Sequence, residues 1–228
     1  LPGKIARELP YGSGITVLEQ VIRRVKRCRR IDEVIVATTT GKDDDAVVRL
    51  AKKAGVKTFR GSKEDVLSRY YLAAKSAGLD AVVRVTSDCP CMDPEVIDKV
   101  IRLFLSTGAD YASNVLESPY PDGMDVEVFR FSALETVHSS SNDIKAREHV
   151  TFGIYSSPAK FKLRSLPAPE SLFGERLRIT LDTPEDYSLL CAIYALLYRK
   201  DNFFGLKEIT GLLKRQPWLK TINGRVSA

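Results

Sequence analysis

The sequence predicts an α/β protein: a mostly parallel sheet covered on both faces by helices, with a small antiparallel lobe. Three observations carry this reading. Short apolar runs of strand length alternate with amphipathic stretches of helical period through the first half of the chain and again near its end. Several of the amphipathic stretches stop at a glycine, Gly55, Gly78 and Gly108, the residue that ends helices in the left-handed conformation at no steric cost. Between residues 120 and 170 the rhythm changes to one of antiparallel type.

Taken in order, residues 17–28 follow a Gly/Ser turn and read as an amphipathic helix. Residues 33–38 (Glu-Val-Ile-Val-Ala-Thr) form a buried strand, 44–54 a helix, 56–59 a short strand and 66–77 a second helix of the same kind. Strand 81–86, helix 94–106 and strand 111–114 continue the pattern. Residues 125–131 then alternate as an antiparallel strand does, 132–155 are helical, and 161–166 read as another strand. Strand 177–181, helix 184–198 and a shorter helix over 206–215 close the chain. The expected organisation is a single domain over 1–228 with an inserted lobe near 120–170. The chain reaches its first helix with no strand before it, although the first strand of a doubly wound sheet is central. Either that strand lies outside this sequence or the sheet is built differently. The former is the expectation, and it predicts an open slot between strands 33–38 and 81–86.

Composition narrows the function. The 228 residues suffice for a substantial core, and a hydrophobic content of 44% with 28% charged residues is ordinary for a globular protein. No apolar run has the length of a membrane span. A net charge of +6 admits an anionic partner, but the only basic cluster, residues 23–30, reads as the polar face and end of a helix, so no nucleic acid partner is expected. The four cysteines show no C-x-x-C spacing and only two histidines are present, which argues against zinc and for reduced, mostly buried thiols in a cytoplasmic protein.

Two aspartates say most about chemistry. Asp88 and Asp182 each end an apolar run and stand just before a proline, in Thr-Ser-Asp-Cys-Pro and Leu-Asp-Thr-Pro-Glu-Asp. A carboxylate at the carboxyl end of a strand in an open α/β sheet borders the crevice where such sheets bind ligands. Two of them can share a Mg²⁺ ion, which takes one or two protein carboxylates and completes its shell with water and polyphosphate oxygens. The competing reading is that each Asp merely caps the following helix.

Residues 1–4 (Leu-Pro-Gly-Lys), 61–71 (Gly-Ser-Lys-Glu-Asp-Val-Leu-Ser-Arg-Tyr-Tyr), 86–90, 120–129 (Tyr-Pro-Asp-Gly-Met-Asp-Val-Glu-Val-Phe), 147–151 (Arg-Glu-His-Val-Thr) and 182–186 together resemble the cytidylyltransferases. The resemblance is to the branch of spore coat polysaccharide biosynthesis protein F, with the synthetases of CMP-KDO and CMP-sialic acid as more distant kin. It implies a Rossmann-like nucleotidyltransferase fold, CTP as donor, Mg²⁺ as cofactor, and a lobe that often supports a homodimer. It further implies metal binding by Asp88 and Asp182 and a triphosphate contact by Lys4.

Around this frame lie weaker candidates. Arg69 could approach the nucleotide or simply end a helical turn. Asp122, Asp125 and Glu127 fall at the start of the lobe, with the last two on one strand face, where they could meet acceptor hydroxyls or face solvent. Arg147 could pair with an acceptor carboxylate or phosphate and His149 orient a neighbour; an Arg–Glu pair and a core histidine are the structural alternatives. The expected reaction is transfer of CMP from CTP to a sugar acid or related small acceptor, with release of pyrophosphate. A sugar-1-phosphate nucleotidyltransferase using another triphosphate and a catalytically silent nucleotide-binding protein remain the alternatives.

Overall fold

The computed structural model describes residues 1–117, 120–172, 177–199 and 203–226. A short 3-10 turn, Lys4–Ala6, precedes helix α1 (Val17–Val25), whose start is fixed by a capping box between Thr16 and Glu19. Strand β1 (Ile35–Thr39), helix α2 (Asp45–Lys53), strand β2 (Lys57–Gly61) and helix α3 (Val66–Ala77) follow. Next come β3 (Ala81–Arg84), α4 (Pro94–Thr107) and β4 (Tyr111–Ser113). Gly78 and Gly108 end α3 and α4 in the left-handed conformation, as their positions in the sequence predict.

Beyond residue 120 the structure departs from the expected pattern in three places. The expected antiparallel strand is β5 (Glu127–Arg130), but it does not stand apart in a lobe. It lies between β3 and β4 in a four-stranded sheet of order β3-β5-β4-β6, where β6 is Leu163–Ser165. The helical stretch 132–155 is three short helices: α5 (Phe131–Ser140), α6 (Ile144–Glu148) and α7 (Phe152–Tyr155). Asp143 caps α6 and so marks the first break. Residues 177–181 form no strand; a single bridge joins Arg178 to Asp122. Their partner is the turn at 120–123, where Pro121 has no N–H to extend a ladder, and the loop carbonyl of Asp88, which accepts from the Leu181 N–H at 2.9 Å. Helices α8 (Pro184–Leu197) and α9 (Leu206–Arg215) complete the chain.

Strand alternation divides the core in two. In one register row Val82, Phe129 and Tyr111 face Leu67, Tyr71, Leu134 and Ile154 of α3, α5 and α7. In the next row Val83, Val128 and Ala112 face the cluster built by α1, α4, α8 and α9. The large sheet is thus covered on both faces. Each fully buried side chain such as Phe129 stabilises this packing by about 1.5–3 kcal/mol relative to exposure.

Strands β1 and β2 pair in parallel and form a separate sheet. No ladder joins β1 to β3, as the open-slot expectation requires, and a cleft of about 930 Å³ lined by Ile22, Val36, Val83 and Phe104 runs between them. Arg24, from the basic run, is buried and donates to the carbonyls of Met92 and Phe204, so that run is only partly a solvated face. Cys28, Cys89 and Cys91 are buried free thiols, and Cys191 is partly so. Burial pushes the Cys89 thiol up to about 12. Among the described residues no helix is long and apolar enough to cross a membrane.

Candidate active site

The loop after β3 and the segment before α8 meet where the chain's first turn packs. Gly3 adopts a left-handed conformation and turns Lys4 inward. The Lys4 ammonium donates to Asp88 Oδ2 and to Asp182 Oδ1, each at 2.7 Å. Two aspartates that lie 84 and 178 positions beyond Lys4 thereby share one cation. These partners raise the Lys4 pKa against the opposing effect of burial, and the Lys4 hydrogen bond is the largest cause that lowers that of Asp182.

Neither aspartate caps a helix. Asp93 caps α4, accepting from the Glu95 N–H at 2.8 Å, and Thr183 caps α8 in a box with Asp186. The capping explanation for Asp88 and Asp182 therefore fails.

Arg178, which the sequence reading passed over, organises the rest. Its guanidinium donates to Asp182 Oδ2 and to both oxygens of Asp186 at 3.1 Å, and lies 3.7 Å from Asp122 Oδ2. Asp186 is fully buried and also accepts from the N–H groups of Asp182 and Thr183 at 3.0 Å and from Asn223 at 2.8 Å. These bonds outweigh the cost of its burial and hold its carboxyl at about 2. The signal available in sequence was an arginine four residues before Asp182 in an otherwise apolar run.

Asp122 joins this group through Arg178 and through its backbone, which exchanges bonds with Leu177 and Ile179. Gly123 beside it has φ 98°, and a Cβ there would lie 2.7 Å from the Thr180 nitrogen, so only glycine lets the two segments close up. Asp125 is exposed. Loss of hydration against the surrounding protein, and then repulsion from Asp122 and Glu127, push its carboxyl up to about 6.

The other candidates fall elsewhere. Glu127 is buried, and its carboxylate accepts from Arg84, from the Tyr111 hydroxyl at 2.8 Å and from Thr151. That network engages both oxygens of the buried carboxylate, so Glu127 does not share a free face with Asp125. Arg147 donates to the carbonyls of Ser141 and His138 at 3.0 Å and to Asp65 Oδ2 at 3.3 Å, tying the α5–α6 turn to the cap of α3. His149 is exposed at the end of α6, not in the core. Arg69 lies over Gly61 at the end of β2, on the wall of the large cleft. Its Nη1 donates to the Ser62 carbonyl at 2.7 Å, while its Nε is buried with no partner among the described residues. Arg84 has a similar unpaired Nε on the same cleft.

The model of the cytidylyltransferase family matches residues 1–209. The chain belongs to the cytidylyltransferase family. A cytidylyltransferase structure from Leptospira borgpetersenii superposes with a TM-score of 0.88 at 34% identity, covering 96% of this chain and 90% of that one. The spore coat polysaccharide biosynthesis protein SpsF of Bacillus subtilis is 31% identical over 95% of this chain and 90% of its own length. A 3-deoxy-manno-octulosonate cytidylyltransferase from an Anaeromyxobacter species is 27% identical over 85% and 91% respectively. The expected fold and the expected class, a CTP-dependent nucleotidyltransferase, are therefore correct.

The donor set of this cytidylyltransferase fits Mg²⁺ delivered with a polyphosphate. One oxygen of each carboxylate faces a single positive charge, the Lys4 ammonium. Among the described residues no cluster of three or more carboxylate, His or Cys side chains offers a metal-only cage. Two carboxylates with the remaining positions left to water and phosphate is the arrangement Mg²⁺ favours.

Proposed function

We propose that the chain transfers CMP from CTP to a hydroxyl of a small sugar acid and releases pyrophosphate, as a step in building a surface polysaccharide or glycoconjugate. The observation that carries this reading is the convergence of Lys4, Asp88 and Asp182 at one point in a cytidylyltransferase fold. The acceptor class is supported by the relative named for 3-deoxy-manno-octulosonate and the destination by the one named for spore coat polysaccharide.

In the reaction the acceptor oxygen forms a bond to the α-phosphorus of CTP while the bond from that phosphorus to the bridging oxygen of the β-phosphate breaks. The electron pair of the broken bond leaves with pyrophosphate, and the acceptor's proton passes to a base. Held by Asp88 and Asp182, Mg²⁺ would neutralise charge developing on the phosphoryl oxygens and the departing pyrophosphate. Lys4 supplies a further positive charge to the triphosphate. Arg178 fixes the orientation of Asp182 through their direct hydrogen bond, and Asp186 in turn fixes Arg178. Asp125, ionised above about 6, is the carboxylate we assign to accept from the attacking hydroxyl, since it carries no fixed partner that would have to be displaced. Arg84 is a better anchor than Arg147 for the acceptor's carboxylate, because its Nε has a free donor whereas Arg147 is spent on two carbonyls and Asp65.

Pyrophosphate release tests the reading, measured with each of the four nucleoside triphosphates against a panel of sugar acids and sugar 1-phosphates. Release with CTP and a sugar acid is the expected result. Turnover confined to a sugar 1-phosphate, or to a different triphosphate, would replace this function with the alternative one.

A further inference from the structure

Lys4 is placed where a metal ion would be expected, not where a triphosphate contact alone would put it. Its ammonium bridges Asp88 Oδ2 and Asp182 Oδ1, and the second oxygen of Asp182 is held by Arg178. One oxygen on each carboxylate is thus committed to Lys4 alone. The side chain is 28% exposed and rises from a three-residue 3-10 turn, Lys4–Ala6. The turn itself is held, by the Leu1 amino group donating to the Asp182 carbonyl at 2.9 Å and by the Arg7 N–H donating to the Lys4 carbonyl at 3.2 Å, so any exchange is a swing of the Lys4 side chain alone. The Leu181 N–H donates to the Asp88 carbonyl at 2.9 Å and holds the two segments together, so without a cation the two carboxylates would face each other uncompensated.

We infer that Lys4 is an exchangeable counter-cation: it neutralises Asp88 and Asp182 while no nucleotide is bound, and yields both oxygens to a divalent metal when the triphosphate arrives to take its ammonium. This rests on the metal role given above to Asp88 and Asp182. Its consequence is order. Metal alone must compete with a lysine already in place, whereas metal arriving with a triphosphate offers that lysine a new partner. Metal and nucleotide therefore bind with positive coupling, and by linkage each raises the other's affinity by the same factor. A lysine that served only to contact phosphate would produce no such competition.

The test is Mn²⁺ binding to the full chain, followed by the electron paramagnetic resonance of free Mn²⁺, with and without a non-hydrolysable methylene analogue of CTP. Three proteins are compared: wild type, Lys4→Met and Lys4→Arg. Without nucleotide, Lys4→Met should bind Mn²⁺ at least about tenfold more tightly than wild type, because one unit charge some ångströms from the site has been removed. The factor by which the analogue tightens Mn²⁺ binding should fall in Lys4→Met by a similar amount. Lys4→Arg retains the charge and should stay near wild type in the absence of nucleotide. Should Lys4→Met fail to fold, Lys4→Gln takes its place; Mn²⁺ bound by the analogue in protein-free solution is subtracted, and a tightening factor equal in wild type and variant would overturn the inference. Equal Mn²⁺ affinity of wild type and Lys4→Met without nucleotide would overturn the exchange and leave the metal site standing. Failure of every protein to bind Mn²⁺ even with the analogue would overturn both.

Discussion

The molecule holds two acidic centres only a few residues of sheet apart, and they are built in opposite ways. At Asp88 and Asp182 the carboxylates are part-exposed, and their shared partner is one flexible lysine. At Glu127 the carboxylate is buried, and its partners are an arginine, a tyrosine and a threonine fixed on three different elements. The first centre can give up its partner at little cost, since part-exposed ion pairs contribute little to stability. The second cannot, because any partner removed leaves a polar group stranded out of water. All three side chains are carboxylates; what each acid can do is decided by how its lone pairs are already occupied.

That contrast predicts a split between activity and stability. Asp88→Ala and Asp182→Ala should each lower CTP-dependent turnover by ~10²–10³-fold or more, with the melting temperature nearly unchanged. A calorimetric scan beside a pyrophosphate assay checks both halves. Glu127→Ala should show the reverse emphasis. Stripping the half-buried Arg84 and the buried Tyr111 and Thr151 of their shared carboxylate should cost about 3–5 kcal/mol in a denaturant titration. Stability close to wild type in that variant would remove the distinction between the two centres.

A smaller effect is expected where the two segments of the site touch. Gly123→Ala puts a Cβ against the backbone of Ile179 and Thr180 and forces a left-handed φ on alanine, so it should cost roughly 1–3 kcal/mol. Because the displaced segment carries Asp182, turnover should fall with it, and Gly123→Ala should thus behave as a mixture of the two classes. The smallest effect belongs to Asp125. Its carboxyl titrates at about 6 in the folded protein, against about 3.9 in an unfolded chain. The folded state therefore binds the proton more tightly, and stability falls as pH rises between those values and stays lowered above them. Asp125→Asn should raise the melting temperature at about pH 8 and leave it nearly unchanged at about pH 4. An equal shift at both would assign the effect to packing.

Much of this was legible in the sequence because it is local. Gly78 and Gly108 ended helices where expected, and the periodicity of residues 66–77 matched α3 end to end. Asp88 and Asp182 stood out by their place after apolar runs and before prolines. What stayed hidden is what depends on distant partners. Alternation placed Asp125 and Glu127 together, yet only Tyr111, Arg84 and Thr151, brought in by other elements, bury one and leave the other at the rim. The Arg-Glu-His run suggested chemistry, but Arg147 is claimed by carbonyls at the end of α5, which no spacing rule reveals. Residues 177–181 had every local mark of a strand and lacked only a partner able to form a ladder.

On the proposed function, Asp88 and Asp182 hold the cation while Glu127 serves the fold. Mn²⁺ binding in the presence of the methylene analogue of CTP, measured on Asp88→Ala, Asp182→Ala and Glu127→Gln at a temperature where all three are folded, tests it most directly. The first two should lose Mn²⁺ binding and the third should keep wild-type affinity; full binding in both aspartate variants, or its loss in Glu127→Gln alone, would reassign the site.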